Sequence, residues 1–367
     1  MDRQCSGWRG TARVEGVCVT TIDELLAAAG AGVERGSVPA CQVAVARDGE
    51  LVAFETFGDA SNTTRFCIFS ATKPIVASAV WLLLAEGSLD VSRRVADDLP
   101  ELADAVVGAV TLDQLLLHMA GFPNATLPVR DAGQQAMRLD LMATWELEWE
   151  PGSRFEYHSE SAHWVLATLI ERVSGLDFRD FIEQRICAPL SLPRVLGLSE
   201  DDQEDLAPLV PATDEAASDS TLRFNTPEWR AVGNPGGGAF MTAADLAHFY
   251  QALLTNPNDL WDAEVLRDAT AVVRCNFEDP LMGIPASRSR GLVLAGDDGM
   301  HTLRYAIFGK GCAPGSFGHA GAHGQVGWAD PATGISFAYL GNSVDADPMR
   351  PGARASRLAS LASGIAP

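Results

Sequence analysis

Hydrophobic positions along the chain predict strands near both ends and helices between them. The segment from Thr21 to Gly36 has apolar residues at helical spacing, with Thr21 as a candidate N-cap and Gly36 as a stop signal, and so predicts a helix. Residues 41–60, "CQVAVARDGELVAFETFGDA", alternate on both sides of Asp48 and Gly49. Because Asp-Gly suits the tight turn of a hairpin, this segment predicts two paired strands.

The middle of the chain predicts mainly helices. An apolar segment begins near Ser70, and residues 111–186 carry apolar positions three and four apart. Within that region, Gly121 is expected to cap the helix over "TLDQLLLHMAG". The segment "NPGGGAFMTAADLAHFYQALL" predicts a glycine-rich loop, an N-cap at Thr242 and a helix that ends near Leu254.

The last quarter of the chain predicts a second hairpin and a closing helix. "SFGHAGAHGQVGWADPATGISFAYLGN" alternates on both sides of a DPATG turn, and "ASRLASLASGI" has helical spacing. Since two isolated hairpins would be only marginally stable, both are expected in one sheet. The predicted fold class is α+β, with an antiparallel sheet built from N- and C-terminal strands, flanked by helices, and an inserted, mostly helical region. We expect one domain over 1–367, with an α/β subdomain at about 20–75 and 290–367 and a helical subdomain at about 76–289.

Composition narrows the function classes. The chain has 367 residues, 47% hydrophobic and 20% charged, which suffices for a full core. Its formal net charge of -21 repels phosphate backbones and anionic lipids, so neither nucleic acid nor a membrane is expected as a partner. The longest apolar run, residues 74–85, is shorter than the roughly 20 residues that span a bilayer. The first thirty residues lack the apolar core of a secretory signal, and a cytoplasmic location is therefore expected.

The cysteines indicate neither disulfides nor zinc. They are odd in number and lack a C-x-x-C pair, so most are expected to be small buried hydrophobes. They are Cys5, Cys18, Cys41, Cys67, Cys187, Cys275 and Cys312.

Candidate chemistry lies where Ser70 and Lys73 interrupt the head of the apolar segment "FSATKPIVASAVWLLLAEG". On a helix, residues three apart lie about 60° apart around the axis and roughly 4.5 Å along it, so the two side chains can touch. A serine hydroxyl attacks poorly until a base takes its proton, and a lysine acts as that base only when its ammonium form is made costly. Desolvation and the helix N-terminus both disfavour the ammonium. The alternative is a helix cap at Ser70 and a lysine that reaches solvent.

Two further segments strengthen the catalytic interpretation. "FEYHSESAHWVLATLIERVSG" carries Tyr157 and Ser159 ahead of a helix, and His319-Ala320-Gly321 lies on the first strand of the closing hairpin. In this order the three elements resemble the serine β-lactamase and penicillin-binding-protein superfamily, on the side of class C β-lactamases, D-alanyl-D-alanine peptidases and family VIII carboxylesterases. The resemblance extends from about residue 20 to residue 360 and implies the β-lactamase/transpeptidase-like fold.

The resemblance also implies roles for individual residues. Ser70 would be the nucleophile that forms an acyl-enzyme, and Lys73 and Tyr157 would take its proton and later pass one to the leaving group. The N–H of Ala322, together with that of Ser70, would form the oxyanion hole. Gly321 would let the substrate backbone approach the strand closely. No metal or organic cofactor is implied.

Two positions depart from the family pattern. His319 stands where many members have lysine, and a largely neutral imidazole holds a substrate carboxylate less well. Ser159 stands where β-lactamases and transpeptidases usually have asparagine, and its shorter side chain offers one donor. We therefore expect a site that still binds the Lys73 ammonium but grips a peptide bond poorly. His323 is a further candidate for the acyl pocket.

The sequence thus predicts a serine hydrolase that cleaves small-molecule carboxylic esters or related acyl substrates. Three alternatives stay open at this point. One is an acyltransferase of secondary metabolism, in which an alcohol rather than water accepts the acyl group. A second is a β-lactamase or D-amino peptide hydrolase, and a third is a catalytically silent relative that binds a ligand.

Overall fold

The structure is a computed structural model that describes residues 20–365, apart from the side chains of residues 129 and 130. The strands are β1 Ala40–Arg47, β2 Glu50–Gly58, β3 Phe66–Cys67, β4 Val210–Pro211, β5 Phe240–Met241, β6 Glu278–Asp279, β7 Ile284–Pro285, β8 Val293–Leu294, β9 Phe317–Gly321, β10 Gln325–Asp330, β11 Ile335–Gly341 and β12 Ser343–Val344. The helices are α1 Ile22–Glu34, α2 Lys73–Ala85, α3 Val95–Asp98, α4 Leu112–Leu116, α5 Val129–Ala132, α6 Gln135–Met142, α7 Ser161–Ser174, α8 Phe178–Ile182, α9 Pro227–Val232, α10 Ala243–Thr255, α11 Ala263–Ala271 and α12 Met349–Ala362.

The hairpins from the two ends of the chain meet in one antiparallel sheet, in the order β2-β1-β11-β10-β9-β8. β1 lies between β2 and β11, with Val43 opposite both Glu55 and Tyr339. Pairing between β1 and β11 joins residues that are about 300 positions apart in the chain. The predicted α+β fold class, with an antiparallel sheet built from both chain ends, is confirmed.

Local signals account for the starts and turns of several elements. The Thr21 hydroxyl accepts a hydrogen bond from the Glu24 N–H, and the Thr21 N–H donates to the Glu24 carboxylate, which is a capping box. Thr242 starts α10 by the same arrangement. Asp48 and Gly49 have φ of 52° and 83°, the positive values that a two-residue hairpin turn requires. These predicted boundaries are confirmed.

Each face of the sheet packs against helices. On one face, Val43 and Phe337 share a buried cluster with Leu25 of α1 and Leu358 of α12. On the other face, Ala44 belongs to the larger cluster that also contains the apolar side chains of α2, α7 and α10. The body of α2 therefore belongs to the core that this face of the sheet shares with α7 and α10.

Two predicted details are wrong. The helix expected to end at Gly121 ends at Leu116, and His118 follows with φ of 56°. Gly121 instead turns against the carbonyl of Trp149, where an added Cβ would lie 2.5 Å from the oxygen. Residues 317–341, expected as one hairpin, form three successive antiparallel strands, β9, β10 and β11. The His-Ala-Gly segment is thus on a strand outside the DPATG hairpin.

No helix within residues 20–365 is long and apolar enough to cross a membrane. The cysteines in this range are free and buried, and burial raises the pKa of each thiol, for example that of Cys41 to about 11. Cys5 and Cys18 lie outside the described residues. The cysteines of the described range therefore behave as small hydrophobes, as predicted.

Candidate active site

Ser70 and Lys73 meet at the start of α2. Ser70 lies in a 3-10 turn, Phe69–Thr72, that leads directly into the helix. Pro74 in the first turn loses no intrahelical hydrogen bond, since the N–H at that position has no partner within the helix. The Lys73 Nζ lies 3.2 Å from the Ser70 Oγ, and the lysine is only 1% exposed. The sequence-predicted contact between the two residues is present, and the lysine does not reach solvent.

Two main-chain carbonyls hold the Lys73 amine. Its Nζ donates to the Ser159 carbonyl at 2.7 Å and to the Gly236 carbonyl at 2.6 Å, and its third contact is the Ser70 hydroxyl. An ammonium would donate to all three oxygens. A neutral amine would donate to the carbonyls and present its lone pair to the Ser70 proton. Both protonation states therefore fit this set of contacts without movement of the lysine.

Tyr157 is the second group beside this amine. The Lys73 Nζ lies 4.9 Å from the centroid of the Tyr157 ring. The Tyr157 hydroxyl is buried and has no hydrogen-bond partner among the described residues. The amine therefore lies over the face of the Tyr157 ring, and the phenol hydroxyl is left without a partner within the described residues.

Ser159 contacts Lys73 through its main chain. The carbonyl rather than the hydroxyl accepts the lysine hydrogen bond, and the residue is exposed. The departure from asparagine therefore leaves the support of Lys73 intact. What it changes is an exposed side chain next to Lys73.

A glycine-rich loop that sequence reasoning treated only as a connection supplies the other carbonyl. The Asn234 side chain accepts the Gly236 N–H at 2.8 Å, which fixes the main chain just before the carbonyl that Lys73 contacts. An added Cβ at Gly236 would lie 2.8 Å from the Ser159 carbonyl oxygen, so the loop packs directly against the Tyr157 segment. The run "NPGGG" was the available signal, because glycine permits this close approach of two backbones.

The end of β9 lies against the turn that carries Ser70. An added Cβ at Gly321 would lie 2.2 Å from the Ile68 carbonyl oxygen. The close backbone neighbour of Gly321 on this side is thus the chain before Ser70. The approach of substrate to Gly321, which the family resemblance implies, stays a prediction. Phe69 and His323, which adjoin the two predicted oxyanion donors, have φ of 46° and 59°. Such left-handed backbone in non-glycine residues costs energy and persists only where packing enforces it.

His323 has partners of its own. Its Nε2 lies 2.9 Å from the Thr221 hydroxyl and 3.9 Å from the Asp219 carboxylate. Its ring packs edge-on against Phe69, with centroids 5.4 Å apart. Burial lowers the pKa of His323, and the Asp219 charge opposes that shift. His323 therefore supports the turn beside Ala322, which is exposed.

His319 is held in one neutral tautomer. Its Nδ1 lies 2.6 Å from the Ala320 carbonyl and so carries the proton, which leaves Nε2 to accept a hydrogen bond from Arg288 at 3.3 Å. Burial, Arg288 and Lys73 together hold the pKa of His319 well below its usual range. This agrees with the neutral histidine expected at the family's lysine position.

Three more histidines lie behind Tyr157. The His118 ring lies 4.7 Å from the Tyr157 ring, and its Nδ1 accepts the His158 N–H at 3.1 Å. His163 is buried, and neither of its ring nitrogens has a hydrogen-bond partner within the described part of the chain. Burial lowers the pKa of all three, that of His158 to about 4. His118 thus packs on the predicted base, a role that its position near a helix end did not indicate.

The elements and order of these residues match a known family. The Beta-lactamase family model matches residues 22–362. The chain belongs to the Beta-lactamase family. Family membership confirms the resemblance seen in the sequence and assigns the chain to a group of serine hydrolases.

Similar proteins include enzymes named for ester or β-lactam chemistry. The esterase/beta-lactamase LipL of Mycobacterium tuberculosis is 24% identical over 306 residues, which cover 76% of this chain and 69% of that protein. A penicillin-binding protein homologue from Caulobacter crescentus is 25% identical, with a TM-score of 0.73 over 92% of this chain and 95% of its own. A family VIII carboxylesterase is 24% identical, with a TM-score of 0.76 over 94% and 99%. At these identities the solved structures establish the shared fold.

Across residues 20–365, no group of three or more His, Cys, Asp or Glu side chains is arranged to hold a metal ion.

Proposed function

We propose that this protein cleaves carboxylic esters through an acyl-enzyme on Ser70, with Lys73 and Tyr157 as the general base pair. One observation carries the proposal. The buried Lys73 amine is held by two carbonyls at 2.6 and 2.7 Å, with its remaining contact directed to the Ser70 hydroxyl at 3.2 Å. A serine beside a positioned base is the arrangement that nucleophilic catalysis requires.

The proposed acylation step uses this proton path. As the Ser70 Oγ attacks the ester carbon, its proton passes to the Lys73/Tyr157 pair. The carbonyl oxygen becomes an oxyanion, which accepts hydrogen bonds from the main-chain N–H groups of Ser70 and Ala322. The pair then returns the proton to the departing alcohol. Water repeats the sequence on the acyl-enzyme and releases the acid.

Three features favour esters over amides and β-lactams. Ser159 lacks the amide side chain that would both donate to and accept from a substrate peptide bond. His319 is neutral and buried, so it supplies no cation for a substrate carboxylate. The names of LipL and of the family VIII carboxylesterase add support from similar proteins. A small-molecule ester as substrate and the cytoplasm as location stay predictions.

Ser70→Ala tests the nucleophile. We expect turnover of p-nitrophenyl butyrate to fall by up to about a millionfold, as when the nucleophile of a serine protease is removed. Labelling by a fluorophosphonate probe should be lost in the same variant.

Ser78→Ala is the matched control, because it removes another hydroxyl of α2, one that donates to the Ile75 carbonyl inside the core. It should keep both activity and labelling. Full activity in Ser70→Ala would move the nucleophile elsewhere. Nitrocefin cleavage faster than ester cleavage by the unmodified protein would favour the β-lactamase alternative.

A further inference from the structure

A buried arginine without an anionic partner lies beside the proposed base. Arg288 is 2% exposed, and its Nε and Nη2 have no hydrogen-bond partner among the described residues. Its Nη1 donates to His319, which is neutral. Buried arginines elsewhere in the chain have carboxylates, as Arg138 has Glu171. A buried charge left without such a partner destabilises the fold, so the position of Arg288 calls for a functional explanation.

Aromatic rings surround this guanidinium. The Arg288 Cζ lies 5.4 Å from the ring centroid of Phe155, 5.2 Å from that of Tyr157 and 5.3 Å from that of Tyr305. The Tyr305 hydroxyl donates to the Asp279 carboxylate, which anchors one wall of the enclosure. Electron-rich ring faces attract a cation, and a phenolate attracts it more strongly than a phenol does.

Tyr157 therefore lies beside two basic side chains. The Lys73 Nζ lies 4.9 Å from its ring centroid, and the Arg288 guanidinium lies 5.2 Å from it. Arginine remains protonated at any pH at which the protein is folded, whereas Lys73 takes part in the proton transfer. Arg288 is thus the permanent positive charge next to the proposed base pair, while neutral His319 occupies the strand position where many family members have lysine.

We propose that Arg288 is a positioning residue whose charge favours loss of a proton from the Tyr157/Lys73 pair. This inference rests on the proposed function, because it assigns a role to that same pair. A nearby cation stabilises the pair after it has lost one proton, whether the phenol or the amine gives it up. The pair then accepts the Ser70 proton at neutral pH.

Other groups around Tyr157 do not supply this charge. The imidazoles that face it are neutral, because burial lowers their pKa. The carboxylate of Asp279 faces the site through the Tyr305 hydroxyl and carries the opposite charge. The titratable and charged groups that face the pair are His118, His158, His163, Asp279, Arg288, Tyr305 and His319.

The test compares pH profiles of kcat/KM for wild type, Arg288→Met and Arg288→Lys with p-nitrophenyl butyrate, a neutral ester. From one charge about 5 Å from the pair at an effective dielectric constant near 20, we expect the acidic limb of Arg288→Met to move up by about two pH units. Activity at neutral pH should fall by up to about a hundredfold and recover as the pH rises. Arg288→Lys, which keeps an amine there, should lie between the two.

Thermal unfolding distinguishes an electrostatic role of Arg288 from a structural one. Arg288→Met should not lower the melting temperature, because it removes a buried charge that lacks a counter-ion. The control is Arg274→Met, which changes net charge equally on the same chain segment but at an exposed side chain paired with Asp268. This control should keep the wild-type pH profile. Equal loss of activity at every pH, together with a lower melting temperature, would mean that Arg288 is only structural and would overturn the inference.

A second substrate separates this role from substrate binding. If Arg288 held a substrate anion, Arg288→Met would impair p-nitrophenyl hemisuccinate and leave the neutral ester unchanged, which would also overturn the inference. Failure of the proposed function looks different. In that case Ser70→Ala would keep wild-type activity, whatever the Arg288 variants do.

Discussion

Gly321→Ala should damage catalysis by moving the two proposed oxyanion donors apart. The added methyl would lie 2.2 Å from the Ile68 carbonyl oxygen and 2.9 Å from the Gln325 Cβ. Because real Cβ contacts essentially never fall below 3.0 Å, β9 and the chain before Ser70 must separate by about 0.8 Å. The oxygen belongs to the backbone, and it also accepts the Ala71 N–H at 3.1 Å, so no side-chain rotation relieves the contact.

The magnitude follows from that displacement. Loss of one oxyanion donor costs about a hundredfold to a thousandfold in kcat, and a misplacement near 1 Å has a comparable effect. Overpacking of this kind also lowers the free energy of unfolding by about 1 to 3 kcal/mol. We expect kcat for p-nitrophenyl butyrate to fall by at least about a hundredfold in a protein that remains folded at 25 °C.

The assay is steady-state hydrolysis of p-nitrophenyl butyrate, with thermal unfolding followed in parallel. Gly352→Ala is the matched control, because an added Cβ there meets nothing within 4 Å and the residue lies in α12. It should keep kcat and gain up to about 1 kcal/mol of stability through higher helix propensity. Wild-type kcat in Gly321→Ala, with an unchanged melting temperature, would refute the argument from close backbone contact.

Two further predictions concern substrate choice and pH. Ser159→Asn should raise amide or β-lactam cleavage relative to ester cleavage, because its side chain is exposed at the site while its carbonyl continues to hold Lys73; an unchanged ratio in paired assays would contradict this. The free energy of unfolding should fall as the pH drops from 6.5 towards 4, because the imidazoles bind protons in the unfolded chain but stay neutral where they are buried in the folded protein. For His158, with its pKa lowered from 6.5 to about 4, the loss is about 3 kcal/mol. His163→Phe removes one buried imidazole that makes no hydrogen bond in the described part of the chain. In urea titrations at pH 7, 6 and 5, the free energy of unfolding of this variant should fall less steeply than that of wild type. An equally steep fall would mean that the buried imidazoles are not its cause.

The sequence alone determined the features that depend on neighbouring residues. Thr21 and Glu24 predicted the start of α1, and Asp48-Gly49 predicted the first hairpin turn, because caps and turns involve residues no more than a few positions apart. The Ser70–Lys73 contact belongs to the same group, since the spacing on one helical turn brings the side chains together. The Tyr157 and His319 segments were recognised through their resemblance to a family rather than from spacing.

Only the tertiary structure decided what surrounds these groups. The carbonyls that hold Lys73 come from positions 86 and 163 residues away, and no local pattern specifies that distance. Gly121 is a second example, because its sequence context predicted a helix cap. In the structure, glycine is needed at this position because the Trp149 carbonyl leaves no room for a Cβ. Arg288 reaches Tyr157 from a segment without regular periodicity, so its role was not visible in the sequence. Local propensity acts over a few residues, whereas the charges and close backbone contacts of the site arise when distant segments pack together.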